Sequence, residues 1–288
     1  MSYRPLNAER IIEALVKQGP YAGVDVFLKT DSTNAELLRR VAASSRVNGA
    51  SSQPASGLTA VRQDSTMAPT PTSVTALLAE HQTAGRGRLH PGESAPRVWE
   101  APARSSVLAS ILVGPAGPAA LPKTLLGLAL GLAAVQALDL FLPVRTSLKW
   151  PNDVMAQGRK LAGVLASATP GGAVVVGIGL NVHQTEAALP GPQAASCATL
   201  GAPDVDRTWL AIAVLAAAAT LFERWARGDR RLLPEITARI DGLGQTARVH
   251  QPDGRLIEGR LEGLELDGAL RLRQASGEVA LVYSGWCD

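Results

Sequence analysis

The sequence is poor in cysteine, in aromatic residues and in long apolar runs. Its two cysteines, Cys197 and Cys287, lie far apart without C-x-x-C spacing, which argues against a disulfide framework or a cysteine zinc site and fits a reducing cytoplasm. Aromatic residues make up 4% of the chain, too few for a nucleic-acid surface of interleaved aromatic and basic residues. The longest apolar run, at 125–135, is shorter than the ~20 residues of a membrane span. We expect a cytoplasmic protein that does not cross a membrane.

Positive and negative side chains are nearly balanced in number, with 28 Lys+Arg against 25 Asp+Glu. This balance argues weakly against a dedicated nucleic-acid binder. The N-terminus, "MSYRPLNAER", is polar and does not have the pattern of a signal peptide. The four histidines have no metal-ligand spacing; they are His81, His90, His183 and His250. At 288 residues, 46% of them hydrophobic, the chain has ample material for a packed core.

Apolar periodicity predicts a mixed α/β (α+β) protein. Helices are predicted from Asn7, from Thr33 with Glu36 in capping-box spacing, and at 123–142 and 207–227. Strands are predicted at 24–30, 75–80, 106–113, 146–150, 160–167 and 173–178. Several links between strands are too short for a parallel crossover, so the sheet should be largely antiparallel. The Ser-, Ala-, Pro- and Thr-rich segment 44–71 is predicted to be a flexible loop.

The chain changes character near residue 233. From there, short β-like segments alternate with Asp-Gly and Ser-Gly turns, a pattern typical of a small β-barrel. We therefore predict a main domain at 1–233 and a small β domain at 234–288.

The segment "QTAGRGRLHPGE" at 82–93 follows a predicted strand and places Arg86 and Arg88 among glycines. Glycine lets a backbone approach a ligand closely, and arginine supplies a permanent positive charge with a bidentate fork. The segment could hold an anion, although a solvent-exposed loop would account for it equally well. A Walker loop is absent from "GPAGPAALPKT", because Pro122 stands where that pattern needs glycine.

A second segment, "SLKWPNDVMAQGRKLAGVLAS", places Asn152 and Asp153 at the end of a strand, where loops commonly carry function. An ordinary Pro-Asn-Asp turn is the alternative interpretation. Lys160 opens the next strand, on the same side as Ala162 and opposite Gly163 if the strand is regular. Its side chain could reach the surface or point into a site.

Two further segments contain polar groups that could bind a ligand. "VVVGIGLNV" ends at Asn181, whose amide could read a nucleobase edge; it does not match the dinucleotide fingerprint, and its glycines could instead relieve backbone crowding. "DSTN" offers the hydroxyls of Ser32 and Thr33, of which helix capping would explain Thr33 alone.

Taken together and in this order, the segments 31–34, 80–88, 149–153, 160–163 and 177–181 resemble biotin protein ligases. The resemblance implies a mixed sheet with packed helices, as in class II aminoacyl-tRNA synthetases, followed by an SH3-like barrel. It also implies a two-step reaction, in which biotin and MgATP form biotinyl-5′-AMP and the biotinyl group then passes to a lysine of a biotin carboxyl carrier domain. Bifunctional relatives carry a DNA-binding domain ahead of this region, and we expect no repressor activity here.

The resemblance also implies the site residues. Biotin would be bound by Ser32, Thr33, Gln82, Gly85, Arg86, Arg88, Lys160 and Gly163. ATP would be bound by Arg88, Trp99, Asn152, Asp153, Lys160 and Asn181. Lys160, Arg86 and Arg88 would be catalytic, and Mg²⁺ would accompany ATP with Asp153 as the candidate protein ligand. The insertion "LHPGESAP" separates the GRGR segment from Arg97 and Trp99, which puts their usual closing role in doubt.

Two alternatives are compatible with parts of the sequence. A lipoate–protein ligase would share the fold and the acyl-adenylate chemistry, but the GRGR segment and the KWPND and KLAG pair favour biotin. A nucleic-acid-binding module could use the arginines and the small barrel on phosphates, and the near-balanced charge counts against it. We expect the biotin carboxyl carrier domain of acetyl-CoA carboxylase or of a related biotin-dependent carboxylase as partner, with neither nucleic acid nor membrane.

Overall fold

A computed structural model of the protein describes residues 3–47, 74–88 and 98–287. The strands are β1 (Tyr21–Phe27), β2 (Val74–Ala79), β3 (Gly85–Arg86), β4 (Val98–Trp99), β5 (Ser106–Val113), β6 (Thr146–Lys149), β7 (Asp153–Ala156), β8 (Arg159–Ala168), β9 (Val174–Asn181), β10 (Thr246–His250), β11 (Leu256–Leu264), β12 (Leu270–Arg273), β13 (Val279–Val282) and β14 (Trp286–Cys287). The helices are α1 (Ala8–Ile12), continued by a π-helical turn (Glu13–Lys17), α2 (Thr33–Val47), α3 (Leu125–Leu138), α4 (Arg207–Ala226) and α5 (Leu232–Thr237), with 3-10 turns at Glu186–Ala188 and Ala198–Leu200.

Seven strands form the main sheet, in the order β1-β2-β5-β9-β8-β7-β6. β1 and β2 are parallel, and every other neighbouring pair is antiparallel. This confirms the predicted mixed, largely antiparallel sheet. β5 and β9 lie at its centre and are buried along nearly their whole length, as expected for strands that are covered on both faces.

Two apolar helices cover one face of the main sheet. α3 is buried nearly all round, which explains its almost uninterrupted apolar sequence. α4 packs against α3 and ends before Gly228, whose φ of +72° is the left-handed conformation predicted for its stop. By length and composition α4 could cross a membrane, yet half of its apolar window is buried inside the protein, as in a core helix.

The second sheet, β13-β12-β11-β10-β14, is antiparallel and confirms the predicted small β domain. It is joined closely to the main sheet. The indole Nε1 of Trp150 donates to Gly268 O at 3.0 Å, and Leu148 N donates to Arg239 O at 2.7 Å. Apolar side chains of both sheets belong to one core cluster. The predicted boundary between residues 233 and 234 falls inside α5, so the division into two domains stays a prediction.

Three local expectations were wrong. Segment 44–47 belongs to α2, and the rest of the predicted loop lies outside the described residues. Asp153–Ala156, which lies between the strands predicted at 146–150 and 160–167 and was not predicted to be a strand, forms β7. The expected capping box of Thr33 and Glu36 does not form. Ser32 caps α2, since its Oγ accepts from Ala35 N at 3.4 Å. The Thr33 hydroxyl is hydrogen-bonded to Gln82 instead, and Glu36 pairs with Arg39 and Arg40.

A β-bulge corrects the predicted direction of Lys160. The register of β7 against β8 passes from the pair Val154 and Ala162 to the pair Met155 and Lys160, which leaves Leu161 as the extra residue. The extra residue reverses the alternation, so Lys160 lies on the same side as Gly163. Its Cε and Nζ would be 3.3 Å from a Cβ at Gly163.

Candidate active site

A cavity of about 830 Å³ opens at one end of the main sheet, within the size range of small-molecule sites. Its walls come from the α2 N-terminus, from β8 and β9, and from the β3–β4 ribbon. The predicted site residues that line it are Ser32, Thr33, Gln82, Arg86, Arg88, Trp99, Asn152, Asp153, Lys160, Gly163 and Asn181. The structure thus brings eleven of the twelve predicted side chains or glycines to one cavity. The twelfth, Gly85, lies in the ribbon, where a Cβ would collide with the carbonyl oxygen of Trp99.

One end of the cavity carries uncharged polar groups. Gln82 Oε1 accepts from Thr33 N at 2.7 Å and lies 3.0 Å from Thr33 Oγ1. Thr30 and Gln82 form a parallel bridge that continues the pairing of β1 with β2. Asp31, hydrogen-bonded at both carboxylate oxygens to Arg39, accepts from Ser32 N at 2.8 Å and fixes the start of α2. The same Arg39 hydrogen bonds hold the pKa of the Asp31 carboxyl well below its usual range.

Beneath these groups lies a buried network that sequence reasoning missed. Asn34 Nδ2 donates to Leu165 O at 3.1 Å, and its Oδ1 is hydrogen-bonded to Ser110 Oγ. Ser110 Oγ also lies 2.7 Å from Thr33 Oγ1. A Cβ at Gly177 would collide with Asn34 Oδ1. Gly177 is therefore explained by a crossing side chain, where the sequence had suggested crowding by another backbone.

Trp99 forms a further part of the cavity wall. Its indole lies against Gly163 and Gly179, and a Cβ at Gly179 would be 2.5 Å from Trp99 Cε2. Trp99 Nε1 is buried without a hydrogen-bond partner among the described residues. Lys160 Nζ is 6.0 Å from the centre of the ring. The two glycines thus make room for a flat aromatic side chain beside the lysine.

A second group of cavity-lining residues is charged. Lys160 Nζ lies 2.7 Å from Asp153 Oδ1, with both side chains partly exposed. This is an ion pair of poor hydrogen-bond geometry, since Oδ1 accepts no hydrogen bond from the described residues. Burial lowers the pKa of Arg88, an effect that the Asp153 charge opposes. Among the charged side chains that line the cavity, Arg86, Arg88, Lys149 and Lys160 outnumber Glu100 and Asp153, which suits an anionic ligand.

Two predicted nucleotide-binding amides already have protein partners. Asn152 Nδ2 donates to Val164 O at 2.9 Å. Asn181 Nδ2 donates to Ala195 O at 3.0 Å, and its Oδ1 accepts from Gln184 Nε2 at 2.8 Å. Gln184, which the sequence analysis did not single out, thereby fixes the orientation of the Asn181 amide. One N–H of Asn181 is left for a ligand.

Several lining residues come from parts of the chain that the motifs do not include. They are Glu100, the 190–194 loop with Pro190 and Gln193, and the C-terminal residues Pro252, Ser284, Gly285, Trp286 and Cys287. Lys149 of the KWPND segment also lines the cavity, although it was not among the predicted site residues. The C-terminal strand β14 begins at Trp286, which stacks on His250 with ring centres 5.1 Å apart. No local sequence signal could place the C-terminal residues at the cavity, because their position depends on how the second sheet docks.

The described residues contain no cluster of three or more His, Cys, Asp or Glu side chains that could hold a metal ion by itself. Asp153 and Glu100 are the carboxylates at the cavity. Mg²⁺ commonly uses one or two carboxylates together with substrate phosphates and water. Asp153, whose Oδ1 has no hydrogen bond from the described residues, fits such a shared site. Arg97 and the "LHPGESAP" insertion lie outside the described residues.

Comparison with known proteins identifies relatives of the whole chain. A model of the Biotin/lipoate A/B protein ligase family matches residues 59–183. The biotin–acetyl-CoA-carboxylase ligase of Mycobacterium tuberculosis is 32% identical over 286 residues, covering 98% of this chain and 94% of the relative. The ligase of the same name from Paracoccus denitrificans is 30% identical over 274 residues, covering 89% and 96%.

A solved structure shows the same architecture. Biotin protein ligase from Aquifex aeolicus, in complex with biotin and ATP, superposes with a TM-score of 0.69 at 25% identity, covering 93% of this chain and 98% of that one. The relatives extend over nearly the full length of the chain, and the cavity residues include those by which the sequence resembles the family. The chain therefore belongs to the biotin protein ligase family and is a ligase of that kind.

Proposed function

We propose that the protein joins biotin to a lysine of a biotin carboxyl carrier domain in two steps, through biotinyl-5′-AMP, in the cytoplasm. The observation that carries the proposal is a single cavity that is lined both by the uncharged hydrogen-bonding groups of Ser32, Thr33 and Gln82 and by the cationic side chains of Arg86, Arg88 and Lys160. Biotin has this same division, because its ureido ring is neutral and its carboxylate is anionic.

The polar end is complementary to a ureido ring. Ser32 Oγ accepts from Ala35 N, and no described residue accepts its hydrogen, so Ser32 can donate to the ureido oxygen. Gln82 Oε1 is already used by Thr33 N, which leaves the Gln82 Nε2 group as a donor. Thr33 Oγ1 lies among protein acceptors and presents lone pairs to a ring N–H. A buried polar group that is left unpaired is costly, so a ligand without these complements should bind weakly.

The charged end suits adenylate formation. A carboxylate oxygen of biotin would bond to the α-phosphorus of ATP, while the bond to the β-phosphate bridging oxygen breaks and pyrophosphate leaves. Two anions must approach each other, and Lys160 and Arg88 are placed to stabilise the charge that gathers between them. Mg²⁺ bound with ATP, with Asp153 on the protein side, would neutralise phosphate charge.

The second step requires that the carrier lysine can reach the adenylate and that water is kept away from the adenylate until then. The neutral amine of a carrier lysine would attack the acyl carbon, AMP would leave, and the nitrogen would lose a proton. Before that step the adenylate must be shielded from hydrolysis. Trp99 and the β3–β4 ribbon, together with Trp286 from the second sheet, border the cavity and are the described groups placed to shield it.

The proposal is tested by incubating the protein with biotin, MgATP and a purified biotin carboxyl carrier domain. We expect one biotinyl group per carrier, found on the acceptor lysine by mass spectrometry. A carrier in which arginine replaces that lysine is the matched control and should stay unmodified. No transfer to the intact carrier would contradict the second step, and detection of the adenylate in the same tubes would show whether the first step survives.

The lipoate alternative is disfavoured by the uncharged polar groups of the cavity, because a dithiolane ring would not accept from the Ser32 hydroxyl or the Gln82 Nε2 group and would offer no N–H to Thr33 Oγ1. We also propose that the protein has neither DNA-binding nor repressor activity. Salt-dependent binding to plain duplex DNA would contradict this. The near-balanced charge of +3 supports it.

A further inference from the structure

The side chain of Ser110 lies in the middle of the central strand β5 and is fully buried. It does not line the cavity, and its place behind the site gave no signal in the sequence. Its Oγ is hydrogen-bonded to Asn34 Oδ1 and lies 2.7 Å from Thr33 Oγ1. Ser110 lies between Leu77 of β2 and Gly177 of β9 in the centre of the sheet, where burying a hydroxyl is unfavourable unless its hydrogen bonds are satisfied.

The direction of these hydrogen bonds follows from the surrounding groups. Asn34 Nδ2 donates to Leu165 O, so the amide orientation is fixed and Oδ1 can act solely as an acceptor. The Ser110 hydrogen must therefore point to Asn34. Ser110 Oγ then has lone pairs directed to Thr33, which can donate its own hydrogen to Ser110 or to Gln82 Oε1.

Of these two acceptors, Ser110 Oγ is the favoured one for the Thr33 hydrogen. Thr33 N also donates to Gln82 Oε1, so that oxygen is already engaged and Ser110 is the nearer acceptor, at 2.7 Å against 3.0 Å. The cavity consequently meets the lone pairs of Thr33 Oγ1. A ligand would have to present an N–H there.

We propose that Ser110 is a positioning residue which, without touching the ligand, fixes Thr33 as a hydrogen-bond acceptor and so selects a ring that bears an N–H donor. The inference rests on the proposed function, since it deepens the account of how the neutral end of the cavity recognises the ureido ring. Ser110 acts through Thr33 and Asn34 and takes no part in the chemistry at the charged end.

The test uses the full chain as wild type, as Ser110→Ala and as Ser110→Cys, which keeps a small side chain with a weak donor. Adenylate formation is measured while biotin and MgATP are varied separately. We expect the KM for biotin to rise roughly tenfold in Ser110→Ala and less in Ser110→Cys, because one oriented hydrogen bond is lost or weakened. The KM for ATP should change by less than about twofold, since an interaction away from the nucleotide adds independently.

The matched control is Thr146→Val, which removes another fully buried hydroxyl of the same sheet, far from the cavity lining. It should lower thermal stability without a selective change in the KM for biotin. If Ser110→Ala raises both KM values in parallel, or behaves like Thr146→Val, the inference is overturned. If Ser110→Ala does not fold, Ser110→Cys is measured in its place, and a parallel rise in its KM values for biotin and ATP would overturn the inference.

A second measurement tests whether Thr33 acts as a hydrogen-bond acceptor toward the ligand. Cyclic carbamate analogues, in which a ring N–H of biotin is replaced by oxygen, should bind wild type more weakly than biotin does. In Ser110→Ala the Thr33 hydroxyl is freer to turn and donate, so this discrimination should shrink by roughly threefold or more. Unchanged discrimination would contradict the inference. Failure of wild type to bind biotin at all would instead contradict the proposed function, so the two failures are distinguishable.

Discussion

At the scale of single residues, we propose that adenylate formation depends on the charge of Lys160. The β-bulge at Leu161 turns its side chain into the cavity, where Asp153 holds it at 2.7 Å. We expect Lys160→Ala to lower the rate of pyrophosphate release by about 10²–10³-fold, the cost of removing one donor from a site of developing charge. The matched control is Lys123→Ala, at an exposed lysine outside the cavity lining. Retention of full activity in Lys160→Ala would remove Lys160 from the mechanism.

Many of the residues that line the cavity could be predicted from the sequence, but their spatial arrangement could not. Polar residues at the ends of strands indicated a site, and the cavity does contain them. The alternation rule placed Lys160 opposite Gly163 because nothing local indicates an extra residue in β8. Ser110 was missed because it acts from behind the site on Asn34 and Thr33, which lie 76 and 77 residues away in sequence. Gln184 lies three residues after Asn181, and no local signal shows that its side chain turns back to the Asn181 amide.

A second residue-scale prediction concerns pH and His183. Its ring stacks on Tyr3 with centres 5.1 Å apart. Burial, reinforced by the nearby Arg207 charge and opposed by Asp204 and Asp206, lowers the pKa of His183 below the ordinary value of about 6.5. The unfolded chain therefore binds the proton more tightly. The stabilisation is full above the ordinary pKa and is lost as pH falls through the folded-state pKa.

Urea unfolding at about pH 7.5 and about pH 5.5 checks this effect. The midpoint of wild type should fall at the lower pH, and the fall should be smaller in His183→Phe, which keeps a ring against Tyr3. An equal fall in both proteins would mean that other groups account for the pH dependence.

At the scale of elements, a buried ion pair joins the N-terminal segment, β2 and α4. Glu80 and Arg207 are 3% and 2% exposed and lie 2.8 Å apart. Glu80 Oε1 accepts from Leu6 N, and Arg207 donates to Arg4 O and to Ser106 O. The pair therefore holds the end of β2, two residues before Gln82 of the cavity.

Removing one partner leaves the other as an uncompensated buried charge. We expect Glu80→Ala to lower the free energy of unfolding by about 3–5 kcal/mol in urea titrations. Glu223→Ala, which breaks the exposed pair of Glu223 with Arg227, should change it by less than about 0.5 kcal/mol. Similar small losses in both variants would show that the buried pair contributes little.

The boundaries of elements were predicted correctly where a local signal such as a helix cap determines them. The predictions failed where contacts with neighbouring strands determine whether an element forms. Asn7 caps α1 as expected, since its side chain accepts from Arg10 N at 2.9 Å. β7 was missed because its four residues follow a Pro-Asn-Asp turn and become a strand only through β6 and β8 on either side. The Thr33 hydroxyl, expected to cap α2, is drawn away by Gln82 and Ser110, so tertiary contacts outweighed the local motif.

At the scale of the whole molecule, the two sheets share one hydrophobic core. Leu148 of β6 bonds to the segment after α5 on both of its backbone groups, to Arg239 O and from Asp241 N. Val249 and Leu270 of the second sheet lie in the same core cluster as the main sheet. Composition indicated a separate β domain, but it could not show this continuity or the contribution of Trp286 to the cavity.

A shared core predicts cooperative unfolding. We expect tryptophan fluorescence and far-ultraviolet circular dichroism to give coincident urea transitions, because Trp150 and Gly268 join the two sheets. A chain ending near residue 233 should then be destabilised as well as inactive. Two separate transitions would contradict a single folding unit and would support the predicted division at residues 233 and 234.

The central claim is that this cavity activates biotin as an acyl-adenylate. The most direct measurement is pyrophosphate release with MgATP and no carrier, with biotin and lipoate compared in parallel and the adenylate identified by mass spectrometry. We expect pyrophosphate and biotinyl-5′-AMP to form with biotin, and little turnover with lipoate. Preferential turnover of lipoate would contradict the proposed substrate, and no adenylate with either acid would contradict the proposed chemistry.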